Sequence, residues 1–497
     1  MLAALLALLP ALLLALLCAA SGALVVVLLW RRDSALGVNL ILKGSLSLGL
    51  GVGLFSVIFL VSGALGGNSL LAVDFAVFVL LLAVYLFTRN RIPVVTTIPL
   101  PNQTTDPGWL ILVLRAAFAI ALLAALYSAI LRIIAHPHGD GWDAFAIWNL
   151  HARFLFRGGP HWRDGFTPLI PWSHPDYPLL LPAAIAHFWS CLGHESQIVP
   201  AVIGLVFTFS TVGLLFSSLA LLRGQTSAIL AGLALLSTPF FIEQGTAQYA
   251  DVPLSFFILA TIVGLCLYEQ NSDPMRPQGL LVLAGISCGF AAWTKNEGLL
   301  FLLAIIATRL LVFVIAPSRS VLSAASLQRN VTCENPRQAS TSLAFFLAGI
   351  APCLLLITWI KHSVGASNEL FSSIAFHKLL DASRYHAILK WYVKDFLRFG
   401  DWLLIPGTVL LAGLYFAVPG KRTPVTDPSS RTSGIALAMT LAGYFLIYLV
   451  TPYDLYWHLR FSLNRLFLQL WPAVIFLFFL RNPILNRSPS DAESVSK

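Results

Sequence analysis

Few side chains in this sequence could do chemistry, and they gather in short motifs between long apolar runs. The densest motif is HGDGWDAFAIWNLHARFLFRGG, from His138 to Gly159. It offers two carboxylates, Asp140 and Asp143, beside the indoles of Trp142 and Trp148 and the guanidinium groups of Arg153 and Arg157. A carboxylate in such company can act as a general base. Indoles stack on sugar rings and also favour the membrane interface. Arginine forks suit a phosphate. The same residues have a plainer reading. The segment after Asp143 reads as a helix ended by Gly158-Gly159-Pro160, so either aspartate could simply cap it.

Other motifs repeat this double reading. WSHPDYPLLLP, from Trp172 to Pro182, carries His174, Asp176 and Tyr177, and is also a proline-rich turn into an apolar helix. FIEQGTAQYADVPLSFF carries Glu243 and Asp251, and Asp251 two residues before Pro253 is an ordinary helix start. In WTKNEGLL, Lys295 and Glu297 separate two apolar runs, so Lys295 either snorkels or meets a phosphate. TPYDLYWHLRFSLNRLFLQLWP sets Asp454, His458, Arg460 and Arg465 among aromatics, a cationic lip at the start of the last apolar run. Over about Leu379 to Phe399, His386, Lys390, Lys394 and Arg398 recur at i, i+4 and form a basic ridge on an amphipathic helix. That ridge suits the anionic headgroups of membrane lipids.

The elements that position these motifs follow from composition. Of the 497 residues 58% are hydrophobic and only 11% are charged, against about 25% charged in soluble domains. Apolar runs of about 17 to 28 residues recur along the chain, the length of a bilayer-crossing helix. Spans are expected at about 2–30, 38–63, 69–88, 109–135, 197–222, 226–243, 252–268, 279–294, 299–316, 342–360, 402–418, 432–451 and 464–480. The stretch 178–193 is too short and is expected to be interfacial or re-entrant. With residues 136–196 outside, every inner loop is basic, from Arg31 and Arg32 to Arg481 and Arg487, as the positive-inside rule requires. The net charge of +9 is thereby explained without nucleic acid as a partner. The first apolar run lacks a charged leader and exceeds a signal-peptide core, so it reads as a retained span. Six cysteines show no CxxC pair and no Cys/His cluster in sequence, so neither disulfides nor a metal site is expected. A transporter or flippase would place charges at mid-membrane. Here Lys43, Arg115, Arg132 and Arg309 are among the few charges within the span limits, and most of the acids cluster at one face.

In this order, DGWDAFAIW, HPDYPLLLP, YADVPLSFF and WTKNEGLL resemble the motifs of GT-C glycosyltransferases that use polyprenyl-phosphate sugars. Protein O-mannosyltransferases, the lipid A aminoarabinose transferase and lipopolysaccharide-core sugar transferases are of this kind. The resemblance covers about residues 110 to 315. Many members place two adjacent acids where Asp140 and Asp143 stand three apart, and many place the large outer loop after the first span rather than the fourth. The resemblance implies an all-α polytopic membrane protein, a bundle of about thirteen helices with a large catalytic outer loop. Residues 1–108 would be N-terminal helices, 109–316 the catalytic core and 317–497 a C-terminal region with an outer loop at 361–401. It implies an inverting transfer to a lipid, glycan or protein acceptor, outside what would be a bacterial cytoplasmic membrane. No metal or other cofactor is implied. Asp143 is the expected base, with Asp140 as the alternative and Asp251 supporting. Trp142, Trp148, Arg153, His174, Asp176, Tyr177, Glu243, Lys295, Glu297, His458, Arg460 and Arg465 would bind substrate. An O-antigen ligase or polymerase shares the setting and is the nearest alternative enzyme.

Overall fold

The computed structural model describes residues 2–30, 38–66, 69–90, 108–270, 277–320, 336–365, 377–402 and 428–482, with the isolated positions 407, 409 and 413. Among these the chain is helical and contains no strand. The helices are α1 (Leu2–Leu29), α2 (Val38–Ala64), α3 (Leu70–Thr88), α4 (Gly108–Ala135), α5 (Asn149–Arg157), α6 (Leu180–Leu192), α7 (Ile198–Arg223) and α8 (Gln225–Leu236). They continue as α9 (Pro239–Thr246), α10 (Asp251–Glu269), α11 (Gly279–Thr294), α12 (Asn296–Ser320), α13 (Pro336–Val364), α14 (Ala382–Arg398), α15 (Pro428–Val450) and α16 (Leu455–Arg481). An apolar segment in lipid must satisfy its backbone internally, and a helix does so.

Among the described residues nine helices are long and apolar enough to cross a membrane, or ten if α8 and α9 count as one bent span. The thirteen expected spans divide accordingly. The run at 226–243 is broken by 65° between α8 and α9, where Pro239 opens the second helix and cannot continue the first. The run at 279–294 forms the 16-residue α11, and the run at 299–316 lies in α12. The span at 402–418 and most basic inner loops lie outside the described residues.

Apolar patterning decides who faces lipid. The most apolar window of α10 is 100% buried, whereas those of α3 and α4 are 6% buried. A helix that is apolar all round belongs in the core. α10 accordingly packs against α7, α11 and α16, and its first residue, Asp251, starts a central helix rather than a peripheral one. α6, the short helix expected at the interface, is buried from Leu180 to Trp189 and packs against α2 and α5. It is too short to span, and the protein rather than lipid covers its apolar faces.

Candidate active site

Asp251 anchors the site. Its side chain is fully buried, and four N–H donors converge on it. Arg465 gives Nε at 2.9 Å and Nη2 at 2.8 Å, Lys295 gives Nζ at 3.0 Å, and Gln469 gives Nε2 at 2.6 Å. These donors come from two places: α16 supplies Arg465 and Gln469 one turn apart, and the α11–α12 junction supplies Lys295. Tyr444 of α15 donates to Gln469 Oε1 at 2.7 Å and orients the amide. Asp251 therefore does not cap its helix; no side-chain cap bond forms there.

Asp143 joins through the same guanidinium. Arg465 Nη1 reaches Asp143 Oδ2 at 2.6 Å. The Asp143 side chain is 23% exposed, and no described residue donates to its Oδ1. The capping reading fails here too, because Asp143 makes no side-chain bond to the turn it precedes. That turn, Ala144–Trp148, is a π-helical turn that leads into α5. By contrast Asp454 and Asp381 do cap their helices, bonding Trp457 N and Ser383 N. Tyr249 lies with its ring 4.5 Å from the Arg465 guanidinium carbon. Burial and the adjacent Asp143 carboxylate push the Tyr249 phenol up to about 12. Gly141 has φ +87°, and a Cβ there would sit 2.6 Å from the Tyr249 hydroxyl, so glycine is needed for both conformation and space.

Asp140 goes elsewhere. Arg132 at the end of α4 holds it at 2.6 Å and reaches Glu243 at 3.5 Å. The two candidate bases thus have different guanidinium partners, and Glu243 groups with Asp140 rather than with Asp143.

One wall is a ring stack. Tyr177 lies between Trp148, 5.6 Å away, and His174, 4.6 Å away. Lys295 Nζ stands 5.9 Å from the Tyr177 ring and is paired to Glu297 at 2.8 Å. Burial holds the His174 imidazole below its ordinary pKa. Trp148 Nε1 and Glu297 Oε2 are buried without a hydrogen-bond partner. Buried polar atoms are rarely left so without a reason. Asp176 accepts from Asn296 at 2.7 Å, and Asn296 accepts in turn from Lys361 at 3.2 Å.

The fold thus gathers Asp143, Asp251, Trp148, His174, Asp176, Tyr177, Lys295, Glu297 and Arg465. Other expected binding residues stand apart. Arg153 pairs with Glu195 at 3.4 Å, and Arg157 binds the same carboxylate. Arg460 is exposed over the Phe461 ring, Trp142 is exposed against Phe145, and His458 bonds Thr451 Oγ1 at 2.8 Å. Sequence reasoning passed over Gln469, Tyr249, Asn296 and Lys361. Gln469 was legible: Ser462, Arg465 and Gln469 form a polar stripe at i, i+3, i+7 in an apolar helix, where polar groups must find partners. The expectation of no ligand cluster rested on spacing along the chain, and the fold brings distant residues together. Asp74, His187 and Cys191, remote in sequence or one turn apart, place one ligand atom each within 4.8 Å of one another.

Formal charges decide what the site can bind. Asp143, Asp176, Asp251 and Glu297 outnumber Arg465 and Lys295 by two. Lys361 adds a cation that has no carboxylate within ion-pair distance among the described residues.

No curated protein and no solved structure matches the chain. Residues 173–331 match the family model of dolichyl-phosphate-mannose-protein mannosyltransferases. The match takes in Asp176, Tyr177, Asp251, Lys295 and Glu297, and begins after Asp140 and Asp143. With His174 and Tyr177 of its ring wall, its buried aspartate and its paired lysine inside that stretch, residues 173–331 of this polytopic helical protein are similar to a GT-C superfamily glycosyltransferase domain.

Proposed function

We propose that this protein transfers a sugar from a polyprenyl-phosphate donor to a hydroxyl of a lipid, glycan or protein acceptor at the outer membrane face, with Asp143 as general base. The observation that carries the reading is the Asp143–Arg465–Asp251 chain. One guanidinium ties a partly accessible carboxylate to a buried, saturated one. Asp251 has its oxygens filled by donors and fixes the two cations, so it is a positioning residue. Asp143 keeps an oxygen without a donor and can receive a proton.

The reaction balances on these groups. The acceptor oxygen attacks the anomeric carbon as the bond from that carbon to the phosphate oxygen breaks. The bonding pair leaves with polyprenyl phosphate, and the acceptor proton goes to Asp143. The donor phosphate competes with Asp143 for Arg465 Nη1, so donor binding loosens the ion pair and raises the basicity of the carboxylate. Lys295 and Lys361 stabilise the charge that grows on the leaving phosphate. The Trp148–Tyr177–His174 stack offers the sugar an apolar face.

The test is mass spectrometry of envelope lipids, glycans and proteins from cells with and without the gene, complemented by the wild-type chain. A sugar-sized mass increment that disappears with the gene and returns with the chain, together with polyprenyl phosphate release by the purified protein, supports the reading. Transport of an intact lipid-linked sugar with no release would favour a flippase instead.

A further inference from the structure

A second buried polar cluster lies away from the candidate active site, where α3 meets α6. α3 faces lipid over most of its length, yet its Asp74 is fully buried. Opposite it, His187 and Cys191 stand one turn apart on α6. His187 is also fully buried and stacks on the Phe55 ring at 4.7 Å.

The hydrogen bonds fix the tautomer. His187 Nδ1 lies 2.9 Å from the Phe55 carbonyl oxygen. A carbonyl only accepts, so Nδ1 carries a hydrogen and donates. Nε2 of a neutral ring then presents a lone pair, and it lies 2.9 Å from Asp74 Oδ2. Two acceptors at that distance need a cation or a proton between them. Cys191 Sγ lies 3.9 Å from the same oxygen. Asp74 Oδ1 is buried with no hydrogen-bond partner. A carboxylate buried in a membrane helix with one oxygen unmatched is costly unless something neutralises it.

We infer that Asp74, His187 and Cys191 bind a divalent cation of the zinc class and so clamp α3 to α6. One nitrogen, one oxygen and one sulfur donor match zinc, which accepts all three ligand types. An imidazole whose other nitrogen donates to a backbone carbonyl is the usual outer support of a zinc ligand. Charge fits as well. A carboxylate, a thiolate, a neutral imidazole and a dication sum to zero, the state a low-dielectric site favours. The Cys191 thiol loses its proton to solvent as the metal binds.

The clamp would give the N-terminal helices a purpose. α6 follows directly on Asp176 and Tyr177, so tying it to α3 fixes the turn that forms the ring wall.

The test uses the purified full-length chain from zinc-replete medium, with Cys191→Ala and His187→Ala made alongside. Metal content by plasma mass spectrometry should show roughly one zinc per chain in the wild type and far less in both variants. Zinc-edge absorption fine structure should show a sulfur at about 2.3 Å with nitrogen or oxygen at about 2.0–2.1 Å. Protein expressed in cobalt medium should show a near-ultraviolet thiolate-to-cobalt band that Cys191→Ala abolishes. A proton shared between Asp74 and His187 is the competing account; it predicts no metal in the wild type and a Cys191→Ala protein that melts with it. Wild-type protein without stoichiometric metal, or metal retained undiminished in Cys191→Ala, overturns the inference.

Discussion

Replacing Asp251 with asparagine separates holding from reacting. Asp251 accepts from Arg465, Lys295 and Gln469 while fully buried. The amide of Asp251→Asn keeps the shape but loses the charge, and turns a donor toward groups that are themselves donors. Two cations then remain beside the start of α10, where the helix dipole also disfavours positive charge. Breaking a buried ion pair by removing one partner costs about 3–5 kcal/mol. Asp143→Asn is a milder change. Its described contact is one Arg465 nitrogen, and the side chain is 23% exposed. Partial exposure screens that pair, so about 1 kcal/mol is expected. Thermal unfolding in one detergent, followed by tryptophan fluorescence, should place Asp251→Asn far below wild type and Asp143→Asn close to it. An Asp251→Asn protein that melts with the wild type would refute the reasoning, because Asp251 would not then be what holds the two cations.

Other perturbations probe the neighbours. Arg465→Lys keeps the charge but loses the fork that bridges Asp143 and Asp251; turnover should fall at least tenfold with insertion preserved, and unchanged kcat would remove the bridge from the mechanism. Lys361→Ala should raise the donor KM several-fold with little effect on folding, measured with a polyprenyl-phosphate sugar; an unaltered KM would place Lys361 away from the phosphate. His151 is fully buried, its ring nitrogens have no hydrogen-bond partner, and burial lowers its pKa to about 3. Above about pH 6.5 the ring is neutral folded or unfolded, and below it the unfolded chain alone gains a proton. Stability should therefore fall as pH drops from about 6.5 toward 3, by up to about 1.4 kcal/mol per unit. His151→Phe should flatten that slope in melting curves taken between pH 7.5 and 5, and an identical slope in the variant would contradict the buried neutral state.

Much of the architecture was legible because lipid imposes a strong rule on sequence: long charge-free runs become helices. The break between α8 and α9 was less so, although Pro239 marks it, because hydropathy does not register direction. α6 was hardest to place, since a short apolar helix is equally suited to an interface or a protein interior, and tertiary packing decides. In the site, residue type told where acids and cations lie but not who meets whom. Asp140 and Asp143 look equivalent in the chain; the glycines around them and the positions of Arg132 and Arg465 on distant helices send them to different partners. Capping fits Asp143 and Asp251 equally well on paper, and it loses because α16 brings a guanidinium to both. Asp74 went unremarked because its partners are more than a hundred positions away in sequence.

The central claim is that Asp143 takes the acceptor proton, and turnover by purified Asp143→Asn tests it most directly. The measurement is polyprenyl phosphate released from a polyprenyl-phosphate sugar in the presence of the identified acceptor, beside wild type and Asp140→Asn. The account predicts a loss of roughly a hundredfold or more for Asp143→Asn, the scale of a lost general base, with melting near wild type and Asp140→Asn largely active. Near-normal turnover by Asp143→Asn, or a dead Asp140→Asn beside an active Asp143→Asn, would contradict it.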